Sequence, residues 1–153
     1  MLSSSIAQQF YAASEDERLM TRLIEELLRL EPPVRALSRV TTKPVMLGGK
    51  QLPEGAHLLV LFASGNDDEA VFHCPRDFDP QRPNLVRSLT FGSGVHLCLG
   101  ISLARMQLRV TAMRVARRMP SLRLTVPIEE IRFLPNVALR TMESLPLAFQ
   151  SPG

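Results

Sequence analysis

The stretch Phe91-Gly92-Ser93-Gly94-Val95-His96-Leu97-Cys98-Leu99-Gly100 decides how the rest of this 153-residue chain is interpreted. Three of its residues are glycine, which is needed where the backbone adopts a positive φ or passes close to a bulky group. Cys98 lies just before a predicted helix, where unpaired N–H groups and the positive end of the helix dipole favour a thiolate. Because thiolates ligate metals, the stretch predicts a cysteine-ligated metal site.

The spacing Phe-x-x-Gly-x-His-x-Cys-x-Gly resembles the haem-ligand loop of the cytochrome P-450 family of haem-thiolate monooxygenases. It is formed here by Phe91, Gly94, His96, Cys98 and Gly100. The resemblance implies haem b as the cofactor, with the thiolate of Cys98 as the proximal ligand of the iron. It also implies that Phe91 packs beside the sulfur, that Gly94 and Gly100 let the backbone close around it, and that His96 holds a haem propionate.

Further upstream, Glu26-x-x-Arg29 lies on a predicted helix over residues 15–30, and the i, i+3 spacing allows the two side chains to pair. By itself such a pair is typical of a solvated helix surface and stabilises little. Its distance from the cysteine loop resembles that of the family's Glu-x-x-Arg pair. The resemblance then implies that Arg82, from a long irregular segment, joins Glu26 and Arg29 in a buried charge triad that braces the loop.

Arg39 lies in a predicted strand over residues 34–40. In bacterial members of the family an arginine near this position pairs with a haem propionate. Arg39 is therefore the first candidate for that contact and Arg35 the second. An exposed strand arginine with no ligand is the alternative interpretation of either residue.

The apolar periodicity and the turn residues predict a mainly α chain of the α+β class. Helices are predicted over residues 15–30 and 101–119, and strands over 34–40, 44–47, 50–52, 57–63, 122–126, 131–134 and 145–149. The strand over 57–63 is almost wholly apolar and is expected to be buried. Gly48-Gly49 predicts a hairpin turn, and residues 65–90 a long irregular segment.

The resemblance implies the C-terminal part of the cytochrome P-450 fold: the Glu-x-x-Arg helix, a small β-sheet, a meander, the cysteine loop, a long helix and a C-terminal β-hairpin. The expected organisation is a single partial domain over residues 1–153. Residues 1–18 form a poorly defined start, and residues 19–149 form the monooxygenase portion.

Family members are well over twice this length, and their oxygen-activating helix carries an Ala-Gly-x-x-Thr stretch that these 153 residues lack. We therefore identify no catalytic residue for oxygen activation, and the substrate-selecting loops are also absent. Two functions remain open. The chain is a monooxygenase, or its haem-binding portion, that inserts one oxygen atom from O2 into an organic substrate. Alternatively, it is a truncated remnant or a partner-dependent fragment without turnover of its own.

The net charge is +3, and no basic run is interleaved with aromatic residues, so a nucleic-acid partner is not expected. The first basic residue is Arg18, and no apolar run approaches the ~20 residues of a membrane span. A cytoplasmic protein without membrane contact is expected. Arg105 and Arg109 lie one turn apart on the predicted helix beside Cys98, and they suggest a basic face for an acidic electron donor such as a ferredoxin, or simply a solvated face.

A zinc site is a third interpretation, because His73, Cys74, His96 and Cys98 supply four nitrogen and sulfur ligands. Adjacent ligands such as His73 and Cys74 strain a tetrahedral geometry. This interpretation is therefore less favoured than haem. Two cysteines in a chain of this length do not indicate a disulfide framework.

Overall fold

A computed structural model describes residues 4–119 and 121–150. Within them the α-helices are α1 (Ser4–Ala12), α2 (Glu17–Leu30), α3 (Phe62–Asn66) and α4 (Ile101–Arg118). The strands are β1 (Ala36–Val40), β2 (Val45–Leu47), β3 (Lys50–Leu52), β4 (His57–Leu61), β5 (Arg123–Leu124) and β6 (Leu147–Ala148). The strands form antiparallel pairs, β1 with β4, β2 with β3 and β5 with β6, so the chain is α+β with a predominance of helix.

Helices α2 and α4 pack against each other and form the core together with α1. Helix α2 begins after Asp16, whose Oδ1 accepts a hydrogen bond from the backbone N–H of Leu19 at 2.9 Å. This is the N-cap contact that satisfies a free donor at a helix start. The buried apolar side chains of the core are Ala13, Met20, Leu23, Ile24 and Ala116.

Residues 1–18 are more regular than the sequence indicated, within the part of this range that the structure describes. Helix α1 and a 3-10 turn over Ala13–Glu15 pack against α4, and Ala13 is fully buried. Arg117 of α4 holds the turn by donating to the backbone oxygen of Ser14 at 2.9 Å and pairing with Glu15 at 2.8 Å. The start of the described chain is therefore part of the helical core.

Strands β1 and β4 pair with Ala36 opposite Leu61 and Val40 opposite His57. The prediction of a buried strand over residues 57–63 is wrong in two respects. The strand ends at Leu61, because Phe62 begins α3, and Leu61 is 51% exposed. An apolar strand usually indicates burial, but no described helix packs extensively over β4. The β2–β3 hairpin was predicted correctly, and both turn glycines adopt positive φ.

The C-terminal strands are shorter than predicted. Residues 122–126 contribute only β5, which pairs with β6 in the segment predicted as 145–149. Residues 131–134 form a single bridge, between Phe133 and Met142.

Among the described helices none is long and apolar enough to span a bilayer, and the longest, α4, carries five arginines.

Candidate cofactor-binding site

The loop that carries Cys98 is closed by its own backbone. The N–H of Cys98 donates to the carbonyl oxygen of Phe91 at 2.9 Å, and the N–H of Leu97 donates to that of Gly94 at 3.1 Å. Gly92 and Gly94 adopt φ values of 73° and 66°, a region in which residues with a Cβ are strained. Two glycines are therefore needed to bring both ends of the loop together ahead of α4.

Four of the residues singled out from the sequence line one recess of about 710 Å³: Arg39, Phe91, His96 and Cys98. The remaining walls are mainly apolar and come from α2, the β1–β4 sheet and the residues before it, the start of α3, the irregular segment and α4. They include Leu28, Val34, Leu37, Val60, Phe62, Leu89, Ala104 and Leu108. The recess thus combines an apolar surface with one thiol, one imidazole and one guanidinium.

The other predicted residues are placed outside this lining. Gly94 shapes the loop, in a 3-10 turn over Gly94–His96. Gly100 immediately precedes α4, and a Cβ at this position would lie 4.0 Å from Sγ of Cys98. Arg35, the second candidate for a propionate contact, lines a separate polar cleft with Asp67 and Arg76. The structure therefore places Arg39 at the recess and Arg35 away from it.

The donor set of the recess fits a haem. Cys98 is exposed, and no hydrogen bond among the described residues uses its sulfur, which leaves the thiol available as a ligand. Arg39 donates to the backbone oxygen of Ser38 at 2.8 Å and takes part in no salt bridge of the described chain. A partly buried cation without a counter-charge, beside apolar walls, suits a flat apolar macrocycle with acidic substituents.

Glu26, Arg29 and Arg82 meet where the irregular segment packs against α2. Glu26 and Arg29 are fully buried and form a bidentate pair, with N···O distances of 2.8 and 2.9 Å. Arg82 Nε approaches Oε1 of the same carboxylate at 3.3 Å, and the backbone N–H of Asp79 donates to that oxygen at 3.0 Å. Buried charges are tolerated only when paired and hydrogen-bonded, and here one carboxylate is shared by two guanidinium groups.

Backbone carbonyls of the irregular segment satisfy the remaining donors of the two guanidinium groups. Arg29 donates to the carbonyl oxygen of Pro75 at 2.7 Å, and Arg82 to those of His73 and, at 3.1 Å, Cys74. Cys74 adopts a φ of 45°, the only positive value of a non-glycine residue in the described chain. The irregular segment is therefore held to α2 by charge-assisted hydrogen bonds to its backbone, and one residue of it is strained.

Asn66 and Thr90 are part of the same support, and the sequence analysis gave neither of them this role. Buried Asn66 accepts from the N–H of Leu89 at 2.7 Å and donates to the carbonyl oxygen of Arg29 at 3.1 Å. Thr90 donates to the carbonyl oxygen of Leu28 at 2.8 Å. In sequence, Asn66 follows a glycine and precedes two aspartates, which is typical of a turn, so no local signal marks it as a buried link.

The arginines of α4 beside the loop are paired with acidic residues of α2. Arg105 makes a bidentate contact with Glu25 at 2.7 and 2.8 Å, and Arg109 lies 3.4 Å from Glu17. The basic face predicted at Arg105 and Arg109 is therefore partly neutralised across the helix interface.

The zinc site considered from the sequence is not formed in the described part of the chain. The described residues include no group of three or more His, Cys, Asp or Glu side chains that could hold a metal ion.

The loop thus presents an exposed thiol to an apolar recess. Comparison with known proteins gives the family. The model of the cytochrome P450 family matches residues 10–120. The chain therefore belongs to the cytochrome P450 family, whose members are haem-thiolate iron enzymes.

Two of the relatives carry the name of a monooxygenase. The steroid C26-monooxygenase of Mycobacterium tuberculosis is 40% identical over 142 residues, which are 92% of this chain and 38% of that relative. The cytochrome P-450 monooxygenase DoxA of Streptomyces peucetius subsp. caesius is 40% identical over 128 residues, 83% of this chain and 30% of DoxA.

Solved structures of cytochromes P450 also resemble this chain. The haem domain of CYP116B5 from Acinetobacter radioresistens superposes with a TM-score of 0.86 at 30% identity, over 94% of this chain and 34% of that domain. P450BioI, solved with a fatty-acyl carrier protein, gives a TM-score of 0.84 at 34% identity, over 94% of this chain and 36% of that enzyme. The chain thus corresponds to about a third of the length of these relatives, in their C-terminal region.

Proposed function

We propose that this chain forms the proximal wall of the haem site of a cytochrome P450 monooxygenase, an enzyme that inserts one atom of O2 into a small organic substrate. The observation that carries the proposal is the meeting of Cys98, Phe91, His96 and Arg39 at one apolar recess. These residues come from β1 and from two ends of the cysteine loop, and their chemistry matches the three parts of a haem: iron, macrocycle and propionates.

Each lining residue has a distinct role. Cys98 would supply the sulfur ligand of the iron, and the ring of Phe91 lines the recess beside it. Arg39 and His96 bind the propionates through charged or neutral N–H donors. When bound, haem supplies a thiolate-ligated iron whose electron density favours cleavage of the O–O bond. Glycine at 94 and 100 lets the loop pass close to the macrocycle.

Glu26, Arg29 and Arg82 do not line the recess, and they act on the cofactor only through the segments that they hold in place. Their shared charges fix the irregular segment against α2, and this segment leads directly into the cysteine loop. The loop starts at Phe91, one residue after Thr90, which is itself tied to α2. We assign the triad a positioning role for the proximal loop within a monooxygenase portion over residues 19–149.

An electron donor such as a ferredoxin is the expected partner, and the cytoplasm the expected location. The family's general need for a redox partner supports this, as does the basic character of α4 beside Cys98. Arg105 and Arg109 remain the proposed contact, although each shares its charge with an acidic residue of α2. Arg114 and Arg118, exposed on the same helix, take part in no salt bridge of the described chain and extend this basic surface.

A fragment that works only with a complementing polypeptide is the second candidate. Two apolar residues of the cysteine loop are almost fully exposed, Val95 at 97% and Leu99 at 101%. Apolar side chains of β4 and α4 are exposed as well, and large apolar patches mark surfaces that associate. In this case the recess binds haem weakly until another part of the fold covers it.

Reconstitution with haem tests the proposal. The purified chain is mixed with haem, reduced and treated with carbon monoxide, and its absorption spectrum is recorded. A red-shifted, thiolate-type Soret band is expected, and Cys98→Ala should abolish it while Cys74→Ala leaves it unchanged. An unshifted band in the unmodified protein, or a shifted band that survives Cys98→Ala, would overturn the proposal. Product formation by this chain alone would exclude the fragment candidate.

A further inference from the structure

We propose that Glu25 and Arg105 are positioning residues for the cysteine loop. The ion-paired guanidinium group of Arg105 holds the ring of Phe91, and Phe91 in turn holds the backbone of Cys98. This inference rests on the proposed role of Cys98 as the iron ligand, and it assigns a task to two residues that otherwise count as a helix–helix ion pair.

The first link is the pairing of Arg105 with Glu25. Nε and Nη2 of Arg105 donate to the two carboxylate oxygens at 2.7 and 2.8 Å. A bidentate contact fixes the plane of the guanidinium group as well as its position, which a lysine could not do. The Glu25 side chain is only 18% exposed, so the pair is partly shielded from water and from salt.

The second link is the contact of the same guanidinium group with an aromatic ring. Arg105 Cζ lies 5.2 Å from the ring centroid of Phe91, within the range of a cation–π interaction. Arginine favours this stacked arrangement because its flat group can donate to a carboxylate at its edge while its face lies on a ring. The ring of Phe91 therefore contacts a cation of α4 whose guanidinium group is anchored to α2 through Glu25.

The third link joins Phe91 to the ligand. The carbonyl oxygen of Phe91 accepts the N–H of Cys98 at 2.9 Å, and both side chains line the same recess. Arg105 is seven residues after Cys98, on α4. The residue that opens the loop and the helix that follows it are thus joined through one guanidinium group, with α2 as the anchor.

The chain offers a matched control in Arg109 and Glu17, which pair across the same two helices at 3.4 Å. Among the described cation–π contacts, none involves Arg109. A loss of general helix–helix attraction would affect both pairs alike. If Arg105 and Glu25 hold the cysteine loop through Phe91, which we call the clamp, variants of these two residues should loosen the loop and Glu17→Gln should not.

Hydrogen exchange of the apo chain tests the clamp without any cofactor. Arg105→Lys and Glu25→Gln keep the size of each side chain but lose the bidentate geometry. The amide of Cys98 is expected to exchange about threefold faster or more in both variants, as loss of a cation–π contact predicts, and to be unchanged in Glu17→Gln. Equal exchange in all three variants and the unmodified chain, or an equal increase in Glu17→Gln, would overturn the inference.

The haem-loaded chain gives a second readout. Release of haem to an excess of apomyoglobin should be about threefold faster or more in Arg105→Lys and Glu25→Gln than in Glu17→Gln. Unchanged release in the two variants would contradict the clamp. If the unmodified chain fails to bind haem through Cys98, the proposed function fails, whereas the exchange experiment still decides whether the clamp exists.

Discussion

Three buried charges between α2 and the irregular segment, those of Glu26, Arg29 and Arg82, depend on a single carboxylate. Glu26 neutralises two guanidinium groups, and both Glu26 and Arg29 are fully buried. The donors of the two arginines are otherwise satisfied by backbone carbonyls, which cannot balance positive charge. Removal of the carboxylate charge leaves two cations in a site of low polarity.

Glu26→Gln is therefore expected to destabilise the fold by about 3–5 kcal/mol, the usual effect of breaking a buried ion pair from one side. The measurement is the midpoint of urea unfolding, followed by circular dichroism. Glu17→Gln, at the exposed end of α2, serves as the control and should change stability by less than about 0.5 kcal/mol. Similar midpoints for the two variants would show that the triad is not a structural support.

Cys74 is the strained residue of the irregular segment, with a φ of 45°. A left-handed conformation costs a residue with a Cβ about 1–2 kcal/mol. Cys74→Gly removes this strain and should raise the free energy of unfolding by about 0.5 kcal/mol after the entropy of glycine is counted. Cys74→Val should lower it by more than 1 kcal/mol, by estimate, since β-branched residues tolerate positive φ poorly. Equal unfolding midpoints for the two variants would contradict this account.

Among the elements, the cysteine loop depends most directly on glycine. A Cβ at Gly92 would lie 3.4 Å from the carbonyl oxygen of His96, whereas a Cβ at Gly94 meets nothing within 4 Å. Both residues have positive φ, so either substitution strains the backbone, but only the first also crowds the loop. Comparing substitutions at the two positions therefore separates the effect of backbone strain from the effect of steric crowding.

Gly92→Ala is expected to weaken haem binding more than Gly94→Ala, and both should cost about 1 kcal/mol of backbone strain. Gly55→Ala is the control, because its φ of 77° is equally unfavourable but lies in a turn remote from the recess. The measurement is the haem dissociation constant together with the urea midpoint. Loss of haem affinity in Gly55→Ala as large as in Gly92→Ala would argue against a specific role for the loop.

The elements that sequence could predict are those fixed by local chemistry. The apolar repeat of α2 and the two glycines of the β2–β3 turn both act within a few residues. Strand β4 was predicted as buried because its residues are apolar, but burial depends on what packs above the strand, which no local pattern contains. The helix α1 and the turn after it depend on contacts with Arg117, a hundred residues later.

The recess likewise contains residues that local sequence predicts and residues that depend on distant contacts. Its thiol and its glycines could be located from the spacing of the cysteine loop, and Arg39 from its strand. From the sequence, Arg105 was assigned only to a basic face beside Cys98 and Glu25 to no role, because their link to Phe91 exists only after α2 and α4 have packed. Asn66 was missed for the same reason, since a turn residue becomes a buried link only through distant partners.

For the whole molecule, the dominant feature is apolar surface on the cysteine loop, the β1–β4 sheet and α4. Large side chains exposed by about half or more include Val95, Leu97, Leu99 and Leu103. Such surface favours association, because burying it removes apolar area from water at about 25 cal/mol per Å². The chain by itself is expected to self-associate in a concentration-dependent manner.

Sedimentation velocity over a range of concentrations measures this association. Leu99→Ser and Leu103→Ser should shift the distribution toward monomer, whereas Thr42→Ser, on an exposed turn remote from these residues, should leave it unchanged. A monomer at all concentrations, with the apolar residues intact, would show that the exposed surface does not associate in solution.

The proposed function requires a bond between the sulfur of Cys98 and haem iron, and X-ray absorption at the iron edge of the haem-loaded chain measures that bond directly. We expect one sulfur atom among the nearest neighbours of iron, present in Cys74→Ala and lost in Cys98→Ala. Iron surrounded only by nitrogen and oxygen in the unmodified chain, or sulfur that persists in Cys98→Ala, would contradict it.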